Sequence, residues 1–197
     1  MPQLPSLPQN AHLRDLLARF PKNVEPLMIF VNAVLRSEGA LTIAERELIA
    51  AYVSGLNACR FCYGSHVIHA ENLGVDPNLL ENLLNNIETA GISNKMKSLL
   101  RYVEKLNSLP NRLVQADLDA VLSHGWSEEA VFEAVEVTGL FNMMNRIVEG
   151  GGVTFDYAGN AQGHTSQNAG PEVAKNSYLM FLETIQQQVA DREKAAR

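Results

Sequence analysis

The chain has 197 residues and a mass of 21.7 kDa, which suits one domain with a single core and is short for two. Hydrophobic residues make up 46% of it and charged residues 19%, which excludes a disordered, collagenous or coiled-coil protein. The net charge of −6 and the pI of about 5.4 argue against a general nucleic-acid binder. We therefore expect a globular protein that does not bind DNA or RNA.

Helical periodicity recurs along the chain, and no segment alternates as a half-buried strand would, so the predicted fold is all-α. Thr42-Ile-Ala-Glu45 is typical of a capping box, and Asn57 is expected to cap the helix that carries the two cysteines. Gly125 is expected to take a left-handed turn, and the run of glycines from Gly150 ends the longest helix. The helices are predicted, in chain order, at about residues 10–20, 23–39, 42–55, 57–74, 76–88, 93–108, 115–123, 127–149 and 172–191.

We divide the chain into a helical core at 1–155, a loop or linker at 156–171 and a C-terminal docking helix at 172–197. The last helix carries an apolar stripe, which can dock on its own domain or on a partner subunit. The most apolar run, residues 26–35, is about half of the roughly 20 residues that a membrane-spanning helix needs. The first ten residues lack the pattern of a secretory signal, so we expect a cytoplasmic protein that does not enter the membrane.

The two cysteines, Cys59 and Cys62, lie together in one Cys-Arg-Phe-Cys segment. At about 100° per residue they share one narrow helix face with His66 and His69. In a reducing compartment such a pair is more often redox-active or metal-binding than a structural disulfide. If Cys59 lies in the first turn of its helix, the free N–H groups there and a nearby imidazolium favour a thiolate.

Glu47, on the preceding predicted helix, faces the buried side and therefore needs a partner. His66 is the candidate, because a Glu–His pair can pass a proton from a cysteine to the carboxylate and so activate Cys62. These residues predict a two-cysteine cycle. Cys62 attacks a peroxide, the sulfenic acid condenses with Cys59 to a disulfide, and an external dithiol restores the pair. This chemistry needs no cofactor, and the sequence contains no glycine-rich phosphate loop.

Zinc binding is the main chemical alternative, since the same four residues offer two sulfurs and two nitrogens. Four ligands in succession on one straight helix cannot easily surround a tetrahedral ion, which disfavours a metal site. An inert buried pair, and a redox sensor or interaction module that uses the same disulfide, also remain open. For His69 we favour a structural role and for His12 a surface or cap position. A solvated or interface face is expected for the polar stripe of Thr138, Asn142, Asn145 and Glu149, with a wall of the site as the less favoured alternative.

Glu47, eleven intervening residues and Cys59-Arg-Phe-Cys62-Tyr-Gly-Ser-His66 resemble the E-x11-C-x-x-C-x3-H motif of the AhpD-like alkylhydroperoxidases in the carboxymuconolactone decarboxylase superfamily. The segment from Phe141 to Arg146, with Gly152-Val153 after it, is similar to a helix end in the peroxidase-related subgroup. The resemblance covers about residues 20–155. It implies an all-α, cofactor-independent homo-oligomer, commonly a trimer or hexamer, that reduces organic (alkyl) hydroperoxides.

The resemblance also implies a role for each motif residue. Cys62 would attack the peroxide, Cys59 would form the disulfide with it, and Glu47 and His66 would relay the proton. The implied reductant is a dithiol, which a lipoyl protein supplies to some members. Phe61 departs from the pattern, because the best-studied members carry a histidine there. The decarboxylases of the superfamily lack the cysteine pair, so its presence favours the peroxidase.

Overall fold

A computed structural model describes residues 3–158 and 176–195, and within these ranges the chain is helical with no strand. The predicted all-α fold is confirmed. Two short 3-10 segments, Pro21–Asn23 and Pro110–Arg112, connect helices. The described α-helices are α1 (Leu13–Arg19), α2 (Val24–Arg36), α3 (Ile43–Leu56), α4 (Arg60–Asn72), α5 (Leu79–Asn85), α6 (Asn94–Ser108), α7 (Gln115–Ser123), α8 (Glu128–Gly151) and α9 (Ser177–Ala195).

The start of α4 departs from the predicted cap signals, whereas the start of α3 and the end of α7 follow them. Thr42 and Glu45 form the predicted capping box of α3, and Gly125 takes a left-handed backbone with φ of +85°. The exception is the start of α4. Asn57 does not cap this helix; Cys59 is its N-cap residue and Arg60 its first helical residue. Helix α5 is also shorter than predicted, because the residues before Leu79 form a turn.

Helix α3 lies at the centre of the fold and packs on both α4 and α8. Every residue from Arg46 to Ser54 is buried, as expected for a helix that is apolar on nearly all sides. Its charged members therefore need partners inside the protein, and Arg46 finds one in Glu133 of α8 at 2.9 Å. The central position of α3 makes it the platform on which α4 is held.

The predicted solvated face of α8 is wrong for Thr138 and Asn145, which are 1% and 2% exposed. Asn145 donates to Ser54 Oγ at 3.1 Å and accepts from Asn57 Nδ2 at 2.9 Å. Asn107 of α6 donates to Asn57 Oδ1 at 3.0 Å. Because these amides satisfy one another, Asn145 can be buried, and the network fastens α8 and α6 to the turn between α3 and α4.

Helix α9 docks on its own chain, against α1 and α2. Leu182 and Ile185 are buried there, and Gln188 Nε2 donates to Asp15 Oδ1 at 2.8 Å. Before α9, residues 153–158 run along the start of α1. The predicted linker at 156–171 lies mostly outside the described residues, and the three-part division of the chain stays a prediction. None of the described helices is both long and apolar enough to cross a membrane.

Candidate active site

The turn between α3 and α4 places both cysteines. Ala58 adopts a left-handed backbone with φ of +55°, and the Cys59 N–H donates to the Ser54 carbonyl at 3.0 Å. The chain thereby reverses, and α4 packs closely on α3. Because Cys59 is the N-cap residue, the cysteine in the first turn is Cys62 and not Cys59. The sulfur of Cys62 therefore lies close to the positive end of the helix dipole.

The two thiols are free, buried and adjacent to each other. A hydrogen bond to Cys62, together with burial, raises the pKa of the Cys59 thiol. Cys59 therefore keeps its proton and can donate it toward the Cys62 sulfur. Cys62 in turn lines the wall of a cavity, where a substrate can reach it. The surroundings thus distinguish the two cysteines, with Cys62 at the cavity and Cys59 supporting it.

Glu47 of α3 and His66 of α4 meet as the sequence predicts. Glu47 is fully buried, and its Oε2 lies 2.5 Å from His66 Nδ1. Since Nδ1 is engaged by the carboxylate, Nε2 is the ring nitrogen of His66 left for proton transfer. His66 also lines the cavity and stands one helical turn after Cys62. The four predicted site residues are therefore gathered within the packed pair α3 and α4.

Arg36, at the end of α2, is a member of the site that the sequence pattern does not predict. Its Nη1 lies 2.5 Å from Glu47 Oε1, and both side chains are almost fully buried. Burial alone would raise the pKa of Glu47, but the charge of Arg36, together with the hydrogen bond to His66, outweighs it and holds that pKa well below its usual range. Glu47 is therefore a permanent carboxylate. A requirement for a buried cation was foreseeable, but no local spacing singles out Arg36.

Helix α9 completes the surroundings of Arg36. Arg36 Nε donates to Ser177 Oγ at 3.1 Å, and its guanidinium lies 4.7 Å from the centre of the Tyr178 ring. Burial and the nearby charge of Glu47 raise the pKa of Tyr178 well above its usual range, so its hydroxyl stays protonated. The C-terminal helix is thus connected to the charged centre of the site through one arginine.

The cavity beside Cys62 has a volume of about 450 Å³, within the range common for small-molecule sites. His69 lines it as well, with its ring 5.8 Å from that of His66. His12 caps α1, in agreement with the predicted cap position, but it also forms part of the cavity wall. Its Nε2 lies 2.9 Å from the Tyr157 hydroxyl, and burial, helped by Arg14, lowers the pKa of His12 to about 4.

The geometry also bears on the zinc alternative. Across residues 3–158 and 176–195, no three or more His, Cys, Asp or Glu side chains are grouped so that they could hold a metal ion. Cys59 and Cys62 instead contact each other, and His66 is bound to Glu47 through Nδ1. The described arrangement therefore matches proton and thiol chemistry better than metal coordination.

Residues 21–105 match the model of the carboxymuconolactone decarboxylase family. Among solved structures, a peroxidase-related protein from Ralstonia eutropha JMP134, described as an alkylhydroperoxidase AhpD core, is 24% identical with a TM-score of 0.65 over 69% of this chain and 72% of that one. A peroxidase-related protein from Silicibacter sp. TM1040 is 27% identical with a TM-score of 0.66, covering 72% and 74%.

A third structure, from Agrobacterium tumefaciens, belongs to a protein of unknown function proposed to be the antioxidant defence protein AhpD. It is 22% identical with a TM-score of 0.61, and the match covers 68% of this chain and 91% of that one. The search of curated proteins found no match. The chain has the fold of these AhpD-like proteins. Its residues 21–105 are similar to the carboxymuconolactone decarboxylase family, and these likenesses suggest a peroxidase-related function.

Proposed function

We propose that the protein is a cofactor-independent peroxidase that reduces organic (alkyl) hydroperoxides through a Cys59–Cys62 dithiol/disulfide cycle. The observation that carries this proposal is the asymmetry of the cysteine pair. Cys62 lines the cavity beside His66, and Cys59 lies in hydrogen-bonding contact with it. A reactive thiol with a second thiol in reach is the arrangement that converts a sulfenic acid into a disulfide.

In the first half of the cycle, His66 Nε2 accepts the thiol proton of Cys62. The thiolate attacks one peroxide oxygen, a sulfur–oxygen bond forms, and the oxygen–oxygen bond breaks. The departing alkoxide takes the proton back from the His66 imidazolium and leaves as the alcohol, while Cys62 becomes a sulfenic acid. Because Arg36 holds Glu47 as a carboxylate, Glu47 orients the imidazole and stabilises its charged form.

In the second half, the Cys59 sulfur attacks the sulfur of the sulfenic acid. The Cys59 proton and the hydroxyl group leave as water, and the disulfide forms. An external dithiol then reduces the disulfide by thiol exchange and is itself oxidised to a disulfide. A lipoyl protein is one candidate for that donor. The net reaction turns one hydroperoxide and one dithiol into an alcohol, water and an oxidised dithiol.

We further propose that the protein acts in the cytoplasm as a homo-oligomer, either a trimer or a hexamer. Several large apolar side chains are exposed on the single chain, among them Ile29, Phe30 and Phe132. Exposed apolar surface of this kind is common at subunit interfaces. Light scattering coupled to size exclusion should report a mass three or six times that of the chain, and a monomer would contradict this part of the proposal.

The test is turnover of cumene hydroperoxide with excess dihydrolipoamide as the dithiol, using two matched variants. Cys62→Ser should consume no peroxide beyond the uncatalysed background. Cys59→Ser should lose turnover but still react once per subunit, leaving a sulfenic acid on Cys62 that dimedone can trap. Equal behaviour of the two variants would contradict their separate roles.

The alternative functions give different results in the same assay. A redox sensor or interaction module would oxidise once per subunit, change its assembly and show no sustained turnover. A zinc-binding protein would carry a metal that protects both sulfurs until a chelator removes it. Either result would overturn the peroxidase proposal.

A further inference from the structure

The cavity beside Cys62 has two chemically distinct ends. Its inner end holds the buried reactive groups Cys62 and His66. Its outer edge carries exposed polar side chains, including Arg14 of α1 and Thr184 of α9, which mark the opening. Between these ends the wall is mostly apolar. A ligand that fills the cavity therefore needs one polar head at the inner end and an apolar body behind it.

Aromatic rings make up much of the apolar wall. Phe61 and Phe155 lie with their ring centres 4.9 and 5.2 Å from that of His12, both edge to face. Phe181 of α9 approaches the same imidazole from another side at 6.1 Å, and Tyr157 lies 5.2 Å from Phe61. Edge-to-face and offset ring pairs gain energy beyond the burial of apolar area, so this wall favours another aromatic ring over an aliphatic group.

The charged residues that line the cavity are Arg14, at the opening, and Asp15, whose carboxylate accepts from the His12 backbone N–H and from Gln188 Nε2. His12 is neutral at physiological pH, since burial lowers its pKa to about 4. Its Nδ1 accepts the Arg14 backbone N–H at 3.1 Å, which leaves Nε2 to donate to the Tyr157 hydroxyl at 2.9 Å. The imidazole therefore serves as a wall ring with its polar atoms already paired.

The aromatic wall is built largely from elements outside the segment that matches the family. The match spans residues 21–105, whereas His12, Phe155 and Phe181 lie before or after it. The matched segment supplies Cys62 and His66, and the flanking elements supply most of the wall. The residues that would face a substrate body thus lie mainly on α1, residues 153–158 and α9.

We propose that this cavity selects aromatic hydroperoxides, with the peroxide group at Cys62 and the ring against Phe61, Phe155 and Phe181, and that Phe181 is a specificity-determining residue. This inference rests on the proposed peroxidase function and adds its substrate class. Hydrogen peroxide occupies only the reactive end and gains nothing from the wall. An aliphatic hydroperoxide gains burial but no ring pairing, so it should rank between the two.

The test compares kcat/KM for cumene hydroperoxide, tert-butyl hydroperoxide and hydrogen peroxide in the full-length protein. The wild type should prefer cumene hydroperoxide over tert-butyl hydroperoxide by about tenfold, the size expected for gains at more than one ring contact. Phe181→Ala should lower this preference by about fivefold, mainly through KM. Phe181→Leu keeps an apolar side chain and controls for loss of helix docking. Met180→Ala, an exposed neighbour on α9, should keep the wild-type preference.

A binding measurement separates this inference from the proposed function. Calorimetric titration with 2-phenyl-2-propanol, the product alcohol, should show weaker binding to Phe181→Ala than to Met180→Ala, whether or not the protein turns over peroxide. Binding without any turnover would overturn the peroxidase function and leave the pocket assignment standing. Two results would overturn the aromatic substrate class alone. One is turnover with no preference among the three peroxides, and the other is a preference for cumene hydroperoxide that Phe181→Ala leaves unchanged.

Discussion

Two regions of the molecule meet at the cavity, and they are built in different ways. The site floor consists of Glu47, Cys59, Cys62 and His66, which lie within 20 residues of sequence on α3 and α4. The site cover consists of α1, residues 153–158 and α9, which come from the two ends of the chain. The floor holds the groups that can transfer protons and electrons, whereas the cover is mostly aromatic and apolar. The proposed chemistry and the proposed selectivity therefore depend on separate parts of the sequence.

Arg36 links the two regions, since it contacts Glu47 of the floor and both Ser177 and Tyr178 of the cover. Arg36→Met should have the largest effect on stability, because it leaves Glu47 as a buried carboxylate without its main partner. Loss of one partner of a buried pair costs about 3–5 kcal/mol. Urea unfolding at pH 7 should show a loss of this size together with reduced peroxidase turnover. Unchanged stability would mean that the pair does not join floor and cover.

Arg36→Met should also change how the stability of the protein depends on pH. In the wild type the depressed pKa of Glu47 contributes stability above the ordinary carboxyl pKa of 4.5, and this contribution is lost only at lower pH. Without Arg36, burial dominates and the pKa of Glu47 rises, so the folded variant takes up a proton at higher pH. The stability difference between wild type and Arg36→Met should therefore narrow as the pH falls from 7 to 5. A constant difference over that interval would contradict the assigned charge state.

Loss of the hydrogen bonds that Asn145 makes behind the site floor should have a smaller effect on stability. Asn145→Ala removes the amide that bonds to Ser54 and Asn57, and buried polar groups left without partners cost about 1–3 kcal/mol. Because this turn carries Cys59, formation of the disulfide after Cys62 is oxidised should also be slower. Rapid-quench mixing with an alkylating agent would measure this rate. Gly139→Ala, at an open position on the same helix, serves as the control and should leave that rate unchanged.

His12, which belongs to the cover, should also make the stability of the protein depend on pH. Its folded pKa of about 4 lies below the ordinary value of 6.5, so between these values the unfolded chain binds a proton that the native state does not. Stability should therefore fall as the pH is lowered from 6.5 to 4. His12→Asn retains a residue that caps helices well and removes this part of the loss. His124→Asn is the control, because His124 is exposed. If stability depends on pH in the same way in the wild type and in both variants, His12 is not a buried neutral imidazole.

An ion pair remote from both regions provides the reference for these effects. Glu88 and Arg101 lie 2.5 Å apart, but both side chains are largely exposed. Solvent and salt screen such pairs, so Glu88→Gln should leave both the unfolding midpoint and peroxide turnover within experimental error of the wild type. A loss comparable with that of Arg36→Met would show that burial does not set the scale of these interactions.

The difference between floor and cover also explains what the sequence could predict. Glu47, Cys59, Cys62 and His66 follow from spacing on two consecutive helices, because neighbours along the chain are placed by local geometry. Arg36 could not be found in this way, since its contact with Glu47 depends on how α2 packs on α3. His12 and Phe181 are even farther apart along the sequence, and their contact depends on the whole fold.

The main local error has a physical cause as well. Asn57 was expected to cap α4, because asparagine is a common N-cap residue. In the structure its side chain bonds to Asn145 and Asn107, and the helix begins two residues later than an Asn57 cap requires. Tertiary hydrogen bonds thus engage Asn57, which its local preference alone would place at a helix cap. The burial of Thr138 and Asn145 has the same origin, since a polar stripe predicts solvent only when no internal partners are known.

The most direct test of the account is the fate of the two thiols after one equivalent of cumene hydroperoxide. Trypsin cleaves after Arg60, between the cysteines, so an intramolecular disulfide would join the peptides of residues 47–60 and 61–95. After remaining thiols are alkylated, the account predicts this linked pair in mass spectrometry, from protein that still runs as a single chain on a non-reducing gel. Two alkylated cysteines after the peroxide has been consumed, or a disulfide found only between chains, would contradict it.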